Sequence, residues 1–101
     1  MRLVMENRQF ILVVYDISND RRRTKLHDTL LDFGTPVQYS VFECLLTPGQ
    51  VQRMRQKVLK VIRPKKDHVR FYSLCTSCLS RVQVTSGKEV LTSQPNAVVV
   101  G

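Results

Sequence analysis

Apolar positions follow two rhythms along this chain. Residues 9–16, QFILVVYD, are apolar at nearly every position, the pattern of a strand covered on both faces. After Asp16 the rhythm changes. Ser18, Asn19 or Asp20 can cap a helix through a side-chain oxygen, and Arg21–Phe33 is the helix expected behind the cap. Leu26, Leu30 and Phe33 form its apolar stripe at i, i+4, i+7, with Leu31 beside it. Gly34 is the expected C′ stop, reinforced by Pro36. Val37–Leu46, VQYSVFECLL, is β-prone. It reads either as one strand with Val37, Tyr39, Val41 and Glu43 on one face, or as a hairpin turning at Tyr39–Ser40. The fold argument favours the hairpin. Thr47-Pro48-Gly49-Gln50 marks a second helix start, with Thr as N-cap, Pro at the first position and Gln at the capping-box position. That helix is expected to run to about Ile62, with Val51, Met54, Val58, Val61 and Ile62 inward, and Pro64 ends it. Val69–Leu74 and a short Arg81–Thr85 segment are further strands. Residues 1–86 are expected to form one domain. Residues 87–101 are a polar tail ending in Ala97-Val98-Val99-Val100.

The order βαββαβ plus one strand, with right-handed crossovers, predicts an α+β, ferredoxin-like domain. Four antiparallel strands then carry both helices on one face. The other face exposes Val, Phe and Tyr side chains, so the first strand's two-sided apolarity needs a further cover. A second copy of the chain, sheet against sheet, supplies it. The short strand at Arg81–Thr85 would be exchanged onto the neighbour's sheet edge.

Charge narrows the function. The 101 residues hold 16 Lys plus Arg against 8 Asp plus Glu, a net charge of +8. A polyanionic partner, nucleic acid or an anionic surface, is expected. The longest apolar run, Phe10–Tyr15, is far too short to span a bilayer. The N-terminus has no apolar segment followed by a small-residue cleavage site. Cys44, Cys75 and Cys78 are too few for a disulfide framework and odd in number, which fits a reducing, cytoplasmic location.

Candidate chemistry gathers after the first strand. Asp16 stands where a strand emerges into a loop, where side chains are firmly aimed. A lone Asp there serves ordinarily as a cap or ion-pair partner, and one carboxylate does not hold Mg²⁺ tightly. Two copies of Asp16 brought together at a dimer axis would form a shared metal site with room for water and a phosphate. Arg21, Arg22 and Arg23 at a helix start oppose the macrodipole, which makes sense if an anion binds there; solvated arginines offset by Asp20 and Asp28 are the other reading. The second helix carries Arg53, Arg55, Lys57, Lys60 and Arg63 with no acid from Leu46 until Asp67, and solvated helices normally mix signs. Cys75-x-x-Cys78 supplies half of a structural zinc site at most, or two ordinary thiols. His27 and His68 read as surface residues. No Gly-rich phosphate loop, HExxH or serine-nucleophile motif occurs.

The pieces VVYDISND-x-RR, Gly34, VQYSVFE and VRFY-x-LC resemble the CRISPR-associated Cas2 family, over roughly residues 9–85. The resemblance implies a ferredoxin-like homodimer that exchanges its last strand. It implies a part in spacer acquisition: the dimer bridges two dimers of the CRISPR integrase, Cas1, while its basic flanks hold duplex DNA. It further implies a Mg²⁺-dependent endonuclease acting on single-stranded RNA or double-stranded DNA in some members, with Asp16 matching the strand-end metal ligand, and a non-catalytic scaffold in others. Tyr15, Arg21, Arg22, Arg23, Lys25, Arg53, Lys57, Lys60 and Arg63 are the expected nucleic-acid contacts. Pro36 departs from the pattern, since many relatives carry Arg or Lys there. An RNA-cleaving toxin of the same fold is the alternative.

Overall fold

The computed structural model describes residues 8–85. The chain runs β1 (Gln9–Asp16), α1 (Asp20–Leu30), β2 (Gly34–Gln38), β3 (Val41–Leu46), α2 (Pro48–Val61), β4 (His68–Leu74) and a short α3 (Thr76–Leu79). The expected tail, residues 87–101, lies outside the described residues.

Local chemistry sets the helix starts. Of the three possible caps, Asn19 is the one used: its side-chain oxygen accepts from the Arg22 N–H at 2.9 Å. Thr47 and Gln50 close a capping box. The Gln50 side chain accepts from the Thr47 N–H at 2.9 Å, and Thr47 Oγ1 accepts from the Gln50 N–H at 3.3 Å. Each reciprocal bond satisfies a donor that a helix start otherwise leaves unpaired.

The sheet has the order β2-β3-β1-β4, and every neighbouring pair is antiparallel. With α1 and α2 as the two crossovers this is the expected ferredoxin-like arrangement. The Val37–Leu46 stretch is the hairpin, turning at Tyr39–Ser40, with Gln38 paired to Val41 and a bulge between Pro36 and Gln38. Pro36 is tolerated because β2 is an edge strand.

Alternate residues of β1 divide between two environments. Ile11, Val13 and Tyr15 join Phe42, Cys44 and Leu46 of β3, Leu26 and Leu30 of α1, and Met54 and Val58 of α2 in one buried cluster. The opposite face presents Leu12 and Val14 beside Val41, Glu43, Arg70 and Tyr72, all only partly buried or exposed. The open apolar face is therefore built of Leu, Val and Tyr, together with Phe10, which alternation places on the same side as Leu12 and which is buried but outside the helix-side cluster. The phenylalanines Phe42 and Phe71 belong to the helix side. Among the described residues no helix is long and apolar enough to cross a membrane.

Two features differ from expectation. Helix α1 ends at Leu30, and residues 31–33 form a turn. Gly34 consequently opens β2 and caps nothing. Its role is close approach: a Cβ there would lie 2.5 Å from Cys44 Sγ and collide with the Glu43 backbone. Gly34→Ala should destabilise the domain by about 1–3 kcal/mol, the usual cost of overpacking, measurable as a lowered denaturant midpoint at unchanged m-value. At the other end, Arg81–Thr85 joins no strand among the described residues; its expected partner is a second copy of the chain. The second difference is α3, a single turn over Thr76–Leu79 that follows edge strand β4 and precedes that segment.

Candidate nucleic-acid and metal site

Asp16 closes β1 with its side chain exposed on the open face of the sheet. Three neighbouring features position it. Across the ladder it is paired with His68, the first residue of β4. Before it, Tyr15 is fastened to the β2–β3 turn twice: its N–H donates to the Ser40 carbonyl at 3.0 Å and its phenol to the Tyr39 carbonyl at 3.3 Å. After it, Ile17 is buried in the core. An open groove of about 630 Å³ adjoins Asp16, lined by Tyr15, Ser18, Arg23, His27, Tyr39 and Ser40 among others. Tyr39 is almost fully exposed, at 96%.

Tyr15, an expected nucleic-acid contact, is 3% exposed, and its ring packs near Phe42, centroids 6.5 Å apart. Burial raises its phenol pKa above 10.0, against the opposing charge of Arg23. Its place follows from strand parity, since Asp16 faces out and its neighbour must face the helices. The ring holds the turn that walls the groove.

The arginine run also divides. Arg22 forms a two-pronged ion pair with Asp67, Nε to Oδ2 at 2.7 Å and Nη2 to Oδ1 at 3.0 Å. Asp67 is buried and also accepts from the Arg63 N–H at 2.8 Å. The Arg22 hydrogen bond, with help from the Arg63 amide and charge, holds the Asp67 carboxyl below its ordinary range. This pair ties the start of α1 to the residue just before His68, and so to the strand end opposite Asp16. Arg22, an expected nucleic-acid contact, thus forms a structural clamp. Arg23 donates to the Ile17 carbonyl at 2.9 Å and is ion-paired with Asp20, while its side chain still borders the groove. Arg21 and Lys25 are exposed.

Helix α2 carries its basic residues outward. Arg53, Lys57 and Lys60 share one face at i, i+4, i+7, and all three are exposed, as is Arg63 beyond the helix end. Lys57 leans over Phe33, Nζ to centroid 5.9 Å, and Arg55 over Phe71 at 5.9 Å. Both long stems therefore lie along the domain surface, with the charge at its rim.

Among the described residues no group of three or more His, Cys, Asp or Glu is placed to hold a metal. Asp16 offers an exposed carboxylate, a fitting donor for a hard cation but only one ligand of the several such an ion takes. His68, Tyr39 and Ser40 were not picked out as site residues from the sequence. Their proximity to Asp16 depends on strand register and on the hairpin, which residue spacing alone does not reveal.

The comparisons with known proteins agree. The family described as CRISPR associated protein Cas2 matches residues 9–82. A protein of Synechocystis sp., named CRISPR-associated endoribonuclease Cas2 3, is 38% identical over 89 residues, covering 88% of this chain and 96% of that one. Among solved structures, Streptococcus pyogenes Cas2 superposes with a TM-score of 0.68 at 30% identity, covering 76% of this chain and 99% of that one. A chain of a partial Cas6-RT-Cas1–Cas2 complex gives 0.67 at 28% identity, covering 78% and 92%.

Proposed function

The chain belongs to the Cas2 family of CRISPR-associated proteins, and from that premise we propose that it is a dimeric DNA-binding scaffold of spacer acquisition that joins the integrase Cas1 to incoming duplex. The observation that carries this reading is the acid-free basic face of α2. Arg53, Lys57, Lys60 and Arg63 are exposed there, and no carboxylate lies between Pro48 and Val61. Such a face tracks phosphates and reads no bases, as suits DNA of arbitrary sequence. The open sheet face supports a homodimer, because Leu12, Val14, Val41 and Tyr72 have no layer over them in a single chain of described residues. Residues 81–85 join no sheet among the described residues, which supports their addition to a neighbour's sheet edge. A fold relative solved in a complex with Cas1 supports the integrase as partner.

Duplex binding should therefore weaken steeply with salt and depend little on sequence. Each phosphate neutralised contributes about −0.9 to the slope of log K against log[salt]. Arg53→Ala together with Lys60→Ala should reduce that slope by about 1.8 for every protomer in contact. Fluorescence anisotropy with two unrelated duplexes measures this, and a tagged chain should retain Cas1 on a column. Equal affinity at low and high salt would refute the scaffold.

A second reading is a Mg²⁺-dependent phosphodiesterase, favoured by the exposed Asp16 carboxylate beside an open groove and by the endoribonuclease names of relatives. Two Asp16 side chains, one from each protomer, would hold the ion at the dimer axis. A divalent cation supplies Lewis acidity toward a phosphodiester. Arg23 at the groove wall would orient the phosphate, and the fastened Tyr39–Ser40 turn would confine it.

A further inference from the structure

Cys75 and Cys78 take no part in the scaffold or in the groove. They lie on the turn that follows β4, Cys75 as the residue before α3 and Cys78 within it. Both are exposed, and their sulfurs are 3.5 Å apart. Cys75 Sγ also lies 3.3 Å from Ser77 Oγ. A CxxC spacing across one helical turn brings two thiols into this proximity, and a modest side-chain rotation closes the remaining gap to a bond of about 2.05 Å. The third cysteine differs in every respect: Cys44 is wholly buried, and burial pushes its thiol up to about 11.

We propose that Cys75 and Cys78 form a reversible intrachain disulfide by exchange with a low-molecular-weight disulfide of the glutathione type. The Cys75 thiolate attacks one sulfur of the small disulfide, and the other sulfur leaves as a thiolate that takes up a proton. Cys78 then loses its proton and attacks Cys75 Sγ, expelling the second small thiol. Two protein thiols are oxidised to one disulfide, and one small disulfide is reduced to two thiols.

The neighbours assign the order of attack. The Ser77 hydroxyl, the backbone N–H groups of Cys78 and Ser77 and the Cys78 thiol all favour the ionised sulfur of Cys75, bringing it from 9.0 to about 7. The same contact raises Cys78. At pH 7 about half of Cys75 is then thiolate, against about 1% for an unshifted thiol. The lower basicity costs a part of that gain in nucleophilicity, which leaves Cys75 about fivefold faster than an ordinary thiol.

The test exposes the full folded chain to oxidised glutathione and follows its mass and free thiols. The expected product has lost two hydrogens, carries no adduct, and has the bond within the tryptic peptide Phe71–Arg81; dithiothreitol reverses it. Cys78→Ser should stop at one stable glutathione adduct on Cys75, formed at a rate that rises with pH and levels off above about 7. Cys75→Ser should react about fivefold more slowly or less. Cys44 should remain unlabelled throughout, which shows that the protein stays folded. A wild-type chain that remains reduced, or keeps a stable adduct, would overturn the proposal. So would a purified chain whose two thiols are both bound to zinc.

Discussion

Asp67→Ala is expected to lower the melting temperature by at least about 10 °C, more than any exposed charge substitution. The reason is what the substitution leaves behind. Arg22 is mostly buried against Asp67, and the Arg63 N–H donates to the same carboxylate. Removing the carboxylate strands a guanidinium and an amide whose hydration was given up on folding. Asp67→Asn should be intermediate, because its amide oxygen still accepts from Arg63 while the charge is gone. The pH dependence follows from the same contacts. The native carboxyl titrates below its ordinary 3.8, chiefly through the Arg22 hydrogen bond. Its contribution is complete above about pH 4 and is lost as the pH falls through the native value. Neither variant should show this acid-dependent part of the unfolding curve. Thermal melts of the three proteins between pH 3 and 7 measure both effects. A melting temperature for Asp67→Ala within about 2 °C of the wild type would refute the clamp.

Asp16→Asn is expected to reduce Mg²⁺-dependent cleavage of RNA or DNA by at least about a hundredfold, a typical loss when a charge at the reacting centre is removed. The fold should be untouched. The Asp16 side chain is exposed and packs against nothing in the core, and asparagine keeps its shape. Duplex affinity should remain within about twofold, because the phosphate-tracking charges are on α2 and not at Asp16. Cleavage, duplex anisotropy and melting temperature measured on one preparation separate these outcomes. Full cleavage by the variant would remove Asp16 from the chemistry and leave the scaffold standing. Loss of cleavage together with binding would assign Asp16 to DNA contact instead.

Clamp and site meet at one place. Asp67 immediately precedes His68, and His68 is the ladder partner of Asp16. Loss of the clamp should therefore loosen the strand end that presents Asp16, so that Asp67 variants lose more cleavage than their residual fold accounts for. The clamp joins residues 45 positions apart. In the sequence Asp67 is only the first acid after a long basic stretch, and nothing in that stretch names Arg22 as its partner.

Much of the architecture is encoded locally. The two-sided apolar run of β1, a capping residue among Ser18, Asn19 and Asp20, and the Thr47–Gln50 capping box are short-range signals. Each is produced by interactions within four or five residues, so the sequence by itself determined the order of the four strands and two long helices once the fold argument had divided Val37–Leu46 into a hairpin. The basic face of α2 was legible for the same reason, since helical spacing places Arg53, Lys57 and Lys60 together. Four features were decided only by tertiary structure. An apolar run without alternation does not tell which of Tyr15 and Asp16 faces the helices; α1 and α2 settled that by covering one side. Gly34 looks like a helix cap until strand β3 is brought against it, when its missing Cβ becomes room for the Glu43 backbone and Cys44 Sγ. Arg22 reads as one of three equivalent cations until folding delivers a buried carboxylate to it. Residues 81–85 have β-strand composition, yet a strand exists only by pairing, and among the described residues they join no sheet.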